Sequence, residues 1–351
     1  MSKIIPESAG LDAQVASCEP KKEISARSRA YSARPNARKK HPGLSSTKRI
    51  EKVVPNLVIA GDCLQLLRQI PEKSVDLVIL DPPYWKVVGE SWDYRWRTEE
   101  DYREWCREWF REVRRVCKLS ASVYLFGYTR NLVHIFHDIC SLGFEFRQEI
   151  TIDKGIKSVA GRKTSTYKQF PNTTETLFFF VVDAKPYVRE FLLGAKKASG
   201  LTAKQINERL GVKSNGGGVW SLYTGNNILA QVPTREMWER LEEVFGFLAP
   251  DELKGFTFNQ QLGLTNVWTD IDFYDEVRIH PTQKPLKLIE RLVLASSEPG
   301  HTVLDPFCGS GTSVIAAVRH GRVCLAMEVD EEMASRANDR VKAELAQIAL
   351  L

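Results

Sequence analysis

The run Ser74-Val75-Asp76-Leu77-Val78-Ile79-Leu80 is a strand-length stretch of apolar β-formers brought to a halt by Asp81-Pro82-Pro83-Tyr84. An apolar run of that length, bounded by polar turns, predicts a buried strand. Two prolines remove two backbone N–H donors and fix φ, so the strand must end there in a rigid loop. An acid and an aromatic are thereby held in a stiff frame at the carboxyl end of a buried strand. In open α/β sheets that edge is where ligands bind. The same residues also satisfy a plainer reading, a proline turn with a capping Asp.

The chain around this run alternates. Leu57-Val58-Ile59-Ala60 predicts a short strand, and Gly61-Asp62-Cys63 turns into a helix over 64–69. Thr98 is a candidate N-cap, with Glu99, Glu100 and Asp101 on the positive end of the helix dipole. Tyr102, Trp105, Trp109, Val113 and Val116 then recur at helical spacing and predict one core face, the intervening arginines forming a wet face. Strands over 123–127 and 144–152 flank a helix over 131–140. This order predicts a parallel sheet covered on both sides. The pattern breaks near Asp153 and resumes near Asn266. A helix is expected over 286–295, then strands over 302–305 and 323–327, and a last helix. Trp85 and Trp92, in the loop over 85–97, read equally as pocket walls and as core.

Composition narrows the class. The chain has 351 residues, 43% hydrophobic and 26% charged, an ordinary globular balance. It contains no apolar run near the ~18 residues of a membrane helix, and its start lacks a basic-then-apolar leader. A soluble, cytoplasmic protein is expected. The seven cysteines form no Cys-x-x-Cys pair, which argues against a disulfide framework and against a metal site. The formal net charge of +5 points only weakly to a polyanionic partner. Residues 1–50 read as a basic tail with no core-forming period, either a solvated, disordered leader, which is favoured, or an arm that contacts phosphates nonspecifically.

Thr302-Val303-Leu304-Asp305 followed by Pro306-Phe307-Cys308-Gly309-Ser310-Gly311-Thr312 is a strand, an acid, a Gly-Ser-Gly turn and a helix start. Glycines let the backbone approach a ligand closely, and a helix N-terminus offers unpaired N–H groups. Glu328, ending the next strand, could accept hydrogen bonds from both hydroxyls of a ribose. The turn is neither Gly-x-Gly-x-x-Gly nor a P-loop.

Taken together, Asp81-Pro82-Pro83-Tyr84, a divergent basic segment, His280-Pro281-Thr282-Gln283-Lys284-Pro285 and the Asp305–Thr312 block, in that order, resemble the β group of amino-group DNA methyltransferases. The resemblance spans roughly residues 55–345. It implies an α/β fold with a doubly wound, Rossmann-like sheet that binds S-adenosyl-L-methionine, and needs no metal. Residues 51–152 would be the catalytic half, 153–265 a target-recognition region with a helical insert at about 195–250, and 266–351 the cofactor half.

The resemblance also implies roles. Asp81 and the Pro82 carbonyl would grip the amino group of a flipped base, with Pro83 stiffening the loop and Tyr84 stacking on the base. Asp305 would hold the amino group of the cofactor, and Phe307, Gly309, Ser310, Gly311 and Thr312 would wrap its methionine part. Glu328 would take the ribose, Asp62 and Cys63 would flank the adenine, and His280, Thr282 and Lys284 would close over the carboxylate end. Met333 stands where the family often has Tyr.

Lys154, Lys157, Arg162, Lys163 and Lys168, set among Gly, Ser and Thr, are candidate DNA contacts. The segment 200–212, a short helix ended by Gly, is similar to the first half of a helix-turn-helix. It reads as a DNA-reading insert or as a small helical subdomain packed for stability. Double-stranded DNA is the expected partner, with room for a cognate restriction endonuclease and for a homodimer. Asp rather than Ser at the head of the catalytic motif leans towards adenine N6 over cytosine N4. The alternatives are cytosine-N4 methylation, methylation of an RNA base or a protein glutamine, and a DNA-binding regulator without catalysis. A C5-cytosine enzyme would need a Pro-Cys nucleophile, and the chain has no such dipeptide.

Overall fold

The computed structural model describes residues 52–85, 95–159, 170–212, 218–227, 229–261, 263–280 and 282–348. The basic tail, Trp92, the Gly-rich stretch 213–217, and Arg162, Lys163 and Lys168 lie outside them.

Eight strands make one sheet: β1 (Val58–Ala60), β2 (Val75–Leu80), β3 (Cys117–Gly127), β4 (Phe144–Asp153), β5 (Thr174–Val182), β6 (Val267–Trp268), β7 (Thr302–Asp305) and β8 (Val323–Glu328). Their order across the sheet is β1-β8-β7-β2-β3-β5-β4-β6. Strands β1, β8, β7, β2 and β3 are mutually parallel. Contrary to the all-parallel expectation, β5 runs antiparallel to both β3 and β4. A strand that returns directly beside the one it follows runs antiparallel to it, whereas parallel neighbours need a crossover, and β5 pairs with β4 in the first way.

The β2 run is buried along its whole length, and its side chains alternate between two cores. Val78 and Leu80 join one, Leu77 and Ile79 the other. In the same way β5 sends Phe178, Phe180 and Val182 to the first face and Leu177, Phe179 and Val181 to the second. Period-2 alternation with both faces apolar is what a strand covered by helices on both sides requires. The first face is covered by α1 (Cys63–Leu67), α2 (Glu99–Val116), α3 (Thr129–Ser141) and α4 (Lys185–Ser199). It is also covered by the insert helices α5 (Ala203–Arg209), α6 (Gly218–Thr224) and α7 (Arg235–Phe245). The second is covered by α8 (Leu286–Ser296), α9 (Thr312–Arg319) and α10 (Glu331–Ile348).

Helix α2 starts in a capping box, Thr98 accepting from the Asp101 N–H and Asp101 from the Thr98 N–H. Its arginines are engaged within the fold: Arg103 and Arg107 reach Asp138 of α3 as well as Glu100. The insert helices bury Ile206, Trp220, Tyr223, Trp238 and Leu241 in the first core. Asn207 hooks α5 to α6 by accepting the Trp220 N–H at 3.0 Å. Its inward side is thus continuous with the sheet's own core.

Two segments sit elsewhere than chain order suggests. β1, in the stretch 51–152 expected to form the catalytic half, pairs with β8, in the stretch 266–351 expected to bind the cofactor. β5, inside 153–265, is an interior strand of the sheet. Chain order describes connectivity, whereas pairing follows which edge each apolar strand can complete. Among the described residues no helix is long and apolar enough to cross a membrane.

Candidate active site

From β7 the chain winds outward through α9 to β8, while from β2 it winds the opposite way through α2 to β3. Strand order therefore reverses between β7 and β2, and a crevice opens beyond their carboxyl ends. Asp305 ends β7 and Asp81 follows β2 immediately. Ala60 is in register with Glu328, so the turn after β1 emerges beside the end of β8. The Gly61 N–H donates to the Glu328 carbonyl at 2.8 Å, and that of Cys308 to the Met327 carbonyl at 2.8 Å. The loops after β1, β2, β7 and β8 converge there on a cavity of about 680 Å³.

Asp81, Pro82, Pro83 and Tyr84 line this cavity, together with Asp62, Cys63, His280, Thr282, Lys284, Asp305, Phe307, Gly309, Ser310, Thr312 and Glu328. Gly311 does not. It caps α9 at φ +81°, and a Cβ there would stand 3.0 Å from Val341 Cγ2 of α10. Gly309, at φ +53°, would meet nothing within 4 Å. One glycine thus opens the cavity wall and the other lets two helices close on each other. Gly311→Ala should cost about 1–3 kcal/mol of stability, from the left-handed backbone and the clash together. Denaturant unfolding of the variant checks this, and an unchanged midpoint would refute it.

At one end of the cavity, the Phe307 N–H donates to Asp305 at 3.0 Å and the Ser313 hydroxyl donates to its second oxygen. Burial pushes the Asp305 carboxyl up to about 7, and the nearby Asp81 and Glu328 add to the shift. Glu328 is likewise raised by burial, although it accepts the N–H groups of Asp330 and Gly309, each at 3.0 Å. Asp62 caps α1, accepting from Leu64 at 3.0 Å. The Trp105 ring lies 5.8 Å from that of Phe307. Carboxylates around an aromatic wall, in a cavity of this size, fit a ligand with a cationic amino acid end, ribose hydroxyls and a flat base.

At the other end stands a network of charges. The Tyr84 hydroxyl lies 2.6 Å from Asp81 Oδ1 and 3.2 Å from Glu175 Oε1. Lys284 Nζ donates to Asp81 Oδ2 at 2.7 Å and lies 3.4 Å from Glu175 Oε1. Lys154 Nζ closes the outer side, 2.9 Å from Glu175 Oε2. Burial, Asp81 and Glu175 hold the Tyr84 phenol well above its ordinary range, so it is a donor. Two residues given roles from the sequence are paired within the protein. Lys284 sits on Asp81, because a buried ammonium settles on the nearest carboxylates. Lys154, expected on DNA, is spent on Glu175, with only 18% of its side chain exposed. Lys157 is exposed.

The sequence model of the DNA methylase family (N6_N4_Mtase) matches residues 75–339, from β2 to within α10. The chain belongs to that family. It is a DNA methyltransferase, and S-adenosyl-L-methionine is its methyl donor. This DNA methylase is 29% identical over 285 residues to the DNA adenine methyltransferase YhdJ of Escherichia coli (strain K12), covering 78% of this chain and 79% of that protein. It is 25% identical over 306 residues to the Type II methyltransferase M.HinfI of Haemophilus influenzae, covering 82% of this chain and 68% of the relative. Its fold matches that of the cytosine-N4-specific PvuII DNA methyltransferase with a TM-score of 0.50 at 15% identity, over 85% of this chain and 96% of the other.

Several residues in or beside the methylase cavity escaped the sequence reading. Trp105 belongs to a helical apolar stripe, and spacing cannot separate a cavity wall from core. Gln283, within the motif but given no role, is buried; it accepts the Ile279 N–H at 3.2 Å and donates to the Val277 carbonyl at 3.3 Å. Arg340 of α10 donates to the Ser310 carbonyl at 3.0 Å and to Thr312 Oγ1 at 2.8 Å, bracing the Gly-Ser-Gly turn. Glu175 had no local signal.

Proposed function

We infer that this DNA methylase transfers a methyl group to the N6 amino group of an adenine flipped out of duplex DNA. The observation that carries the reading is the convergence of Asp81 and Tyr84 with Asp305 and Glu328 on one cavity. Asp at the head of the catalytic motif favours adenine, and so does the likeness to a protein named as an adenine methyltransferase. The likeness to a Type II methyltransferase supports a cognate restriction endonuclease as partner.

An exocyclic amine is a poor nucleophile because its lone pair is delocalised into the ring. Asp81 and the Pro82 carbonyl would accept its two hydrogens and draw the nitrogen towards a pyramidal shape, localising that lone pair. Asp81 need not remove a proton first; positioning and fixed charge carry most of the rate. Extrusion of the base costs a few kcal/mol, and the Tyr84 ring would recover part of this by stacking. Asp305 would hold the ammonium of the donor, Glu328 its ribose hydroxyls, and Phe307 and Trp105 its apolar flank. Bound there, S-adenosyl-L-methionine supplies an electrophilic methyl group. Lys157 is the described candidate for a phosphate contact.

The test is transfer of tritiated methyl groups to duplex DNA, followed by chromatography of the hydrolysed nucleosides. Label in N6-methyladenine is expected. Label in N4-methylcytosine would replace the adenine reading, and no label in either would sink both.

A further inference from the structure

Glu175 stands beside the loop of Asp81 and Tyr84, yet it comes from a strand nearly a hundred residues away. Because β5 runs antiparallel, its start lies at the edge where β2 and β3 end: Thr176 is in register with Gly127 and Glu175 with Ile152. The Glu175 side chain is 11% exposed and that of Lys284 is 10% exposed. Two carboxylates, Asp81 and Glu175, therefore face two ammonium groups, Lys284 and Lys154, with the Tyr84 hydroxyl between the acids.

We propose that Glu175 is a positioning residue for methyl transfer, sharing the Lys284 ammonium and the Tyr84 hydroxyl with Asp81 so that the Asp81 carboxylate stays aimed at the target amino group. This rests on the reading of Asp81 given above. Asp81 must accept a hydrogen from a weakly polar amine, and a lysine paired with it alone would compete for the same oxygens. A second anion on the far side of Lys284 divides that ammonium's attraction. The Tyr84 hydroxyl, held towards both acids, fixes the ring for stacking. Lys154 balances the charge: burial works against ionised Glu175, but Lys284 and Lys154 outweigh it and hold the carboxyl below its usual range. Burial likewise works against charged Lys284, but Asp81 and Glu175 outweigh it and raise its pKa. The groups facing Lys284 are Asp81 and Tyr84 from the loop after β2, Glu175 from β5, and the Phe126 ring of β3, 4.9 Å from Nζ.

Glu175→Gln and Glu175→Asp, in the full chain, test this. Cofactor affinity, read by calorimetry with S-adenosyl-L-methionine, should stay at the wild-type level. The single-turnover rate on saturating duplex DNA should fall about a hundredfold in E175Q and less in E175D, the scale of a misplaced catalytic geometry. Glu175→Asp, which keeps an anion beside Lys284 and Tyr84, should recover part of that rate, which loss of packing alone would not do. Should E175Q fail to fold, E175D still keeps the charge and withdraws the carboxylate by one methylene. A rate near wild type in E175Q, or an E175D rate no better than that of E175Q, would overturn the proposal. Asp81→Ala run in parallel separates the two readings: if it is inactive while E175Q is fully active, only the role of Glu175 falls, and if it is active the reading of Asp81 falls first.

Discussion

Asp81→Ala should abolish methyl transfer while leaving binding of S-adenosyl-L-methionine near its wild-type strength. Removing one preorganised group at the reacting atoms costs on the order of a hundred- to a thousandfold, and Asp81 does two jobs. On the proposed reading it accepts from the target amine, and its two oxygens anchor the Tyr84 hydroxyl at 2.6 Å and the Lys284 ammonium at 2.7 Å. Without it the stacking ring and the buried cation both lose their nearest partner, so the upper end of that range is expected. Glu175 remains beside Lys284 at 3.4 Å, which keeps the ammonium from being left without an anion. Single-turnover rates and calorimetric affinities on the same preparation check this. Transfer within tenfold of wild type would remove Asp81 from the chemistry.

The second large effect concerns Asp305 and pH. Its carboxyl is pushed up to about 7 by burial, from an ordinary 3.8. The folded protein thus keeps a proton that the unfolded chain releases. The sign follows: its contribution to stability declines as pH rises from about 4 to about 7, by about 4 kcal/mol in all. An ammonium from the cofactor would favour the ionised form, so binding should release a proton below pH 7. Affinity should rise with pH, by at most about tenfold per unit, and level off above 7. Asp305→Asn cannot ionise. It should weaken cofactor binding by about ten- to a hundredfold, erase the pH dependence, and raise the unfolding midpoint at pH 8. Calorimetry in buffers of different ionisation enthalpy, with thermal unfolding alongside, reads all three. A pH-independent wild-type affinity between pH 5 and 7 would show that Asp305 does not face the ammonium.

The two ends of the cavity therefore differ in electrostatic design. At Asp81 the charges are paired, four groups of alternating sign around one phenol. At the other end stand a buried acid, Asp305, and a half-buried one, Glu328, each raised in pKa by burial and by neighbouring acids. Such unpaired acids favour a cationic ligand, and stability is given up to keep them there.

What the amino-acid sequence determined is local and periodic. The apolar run of β2, the proline stop, the Thr98 cap and the Gly-Ser-Gly turn each impose a backbone state on a few consecutive residues, and those states place Asp81, Asp305 and Glu328 at strand ends. What the tertiary structure alone decided is direction and pairing. No residue within β5 says that it runs antiparallel, yet that direction brings Glu175 to the catalytic edge. Nothing in the His280–Pro285 motif assigns the Lys284 ammonium to Asp81. Only the packing against α10 separates Gly311 from Gly309. Helix and strand periods are set by neighbours a few bonds away, whereas a buried charge finds its partner through space, across 203 residues in the case of Asp81 and Lys284.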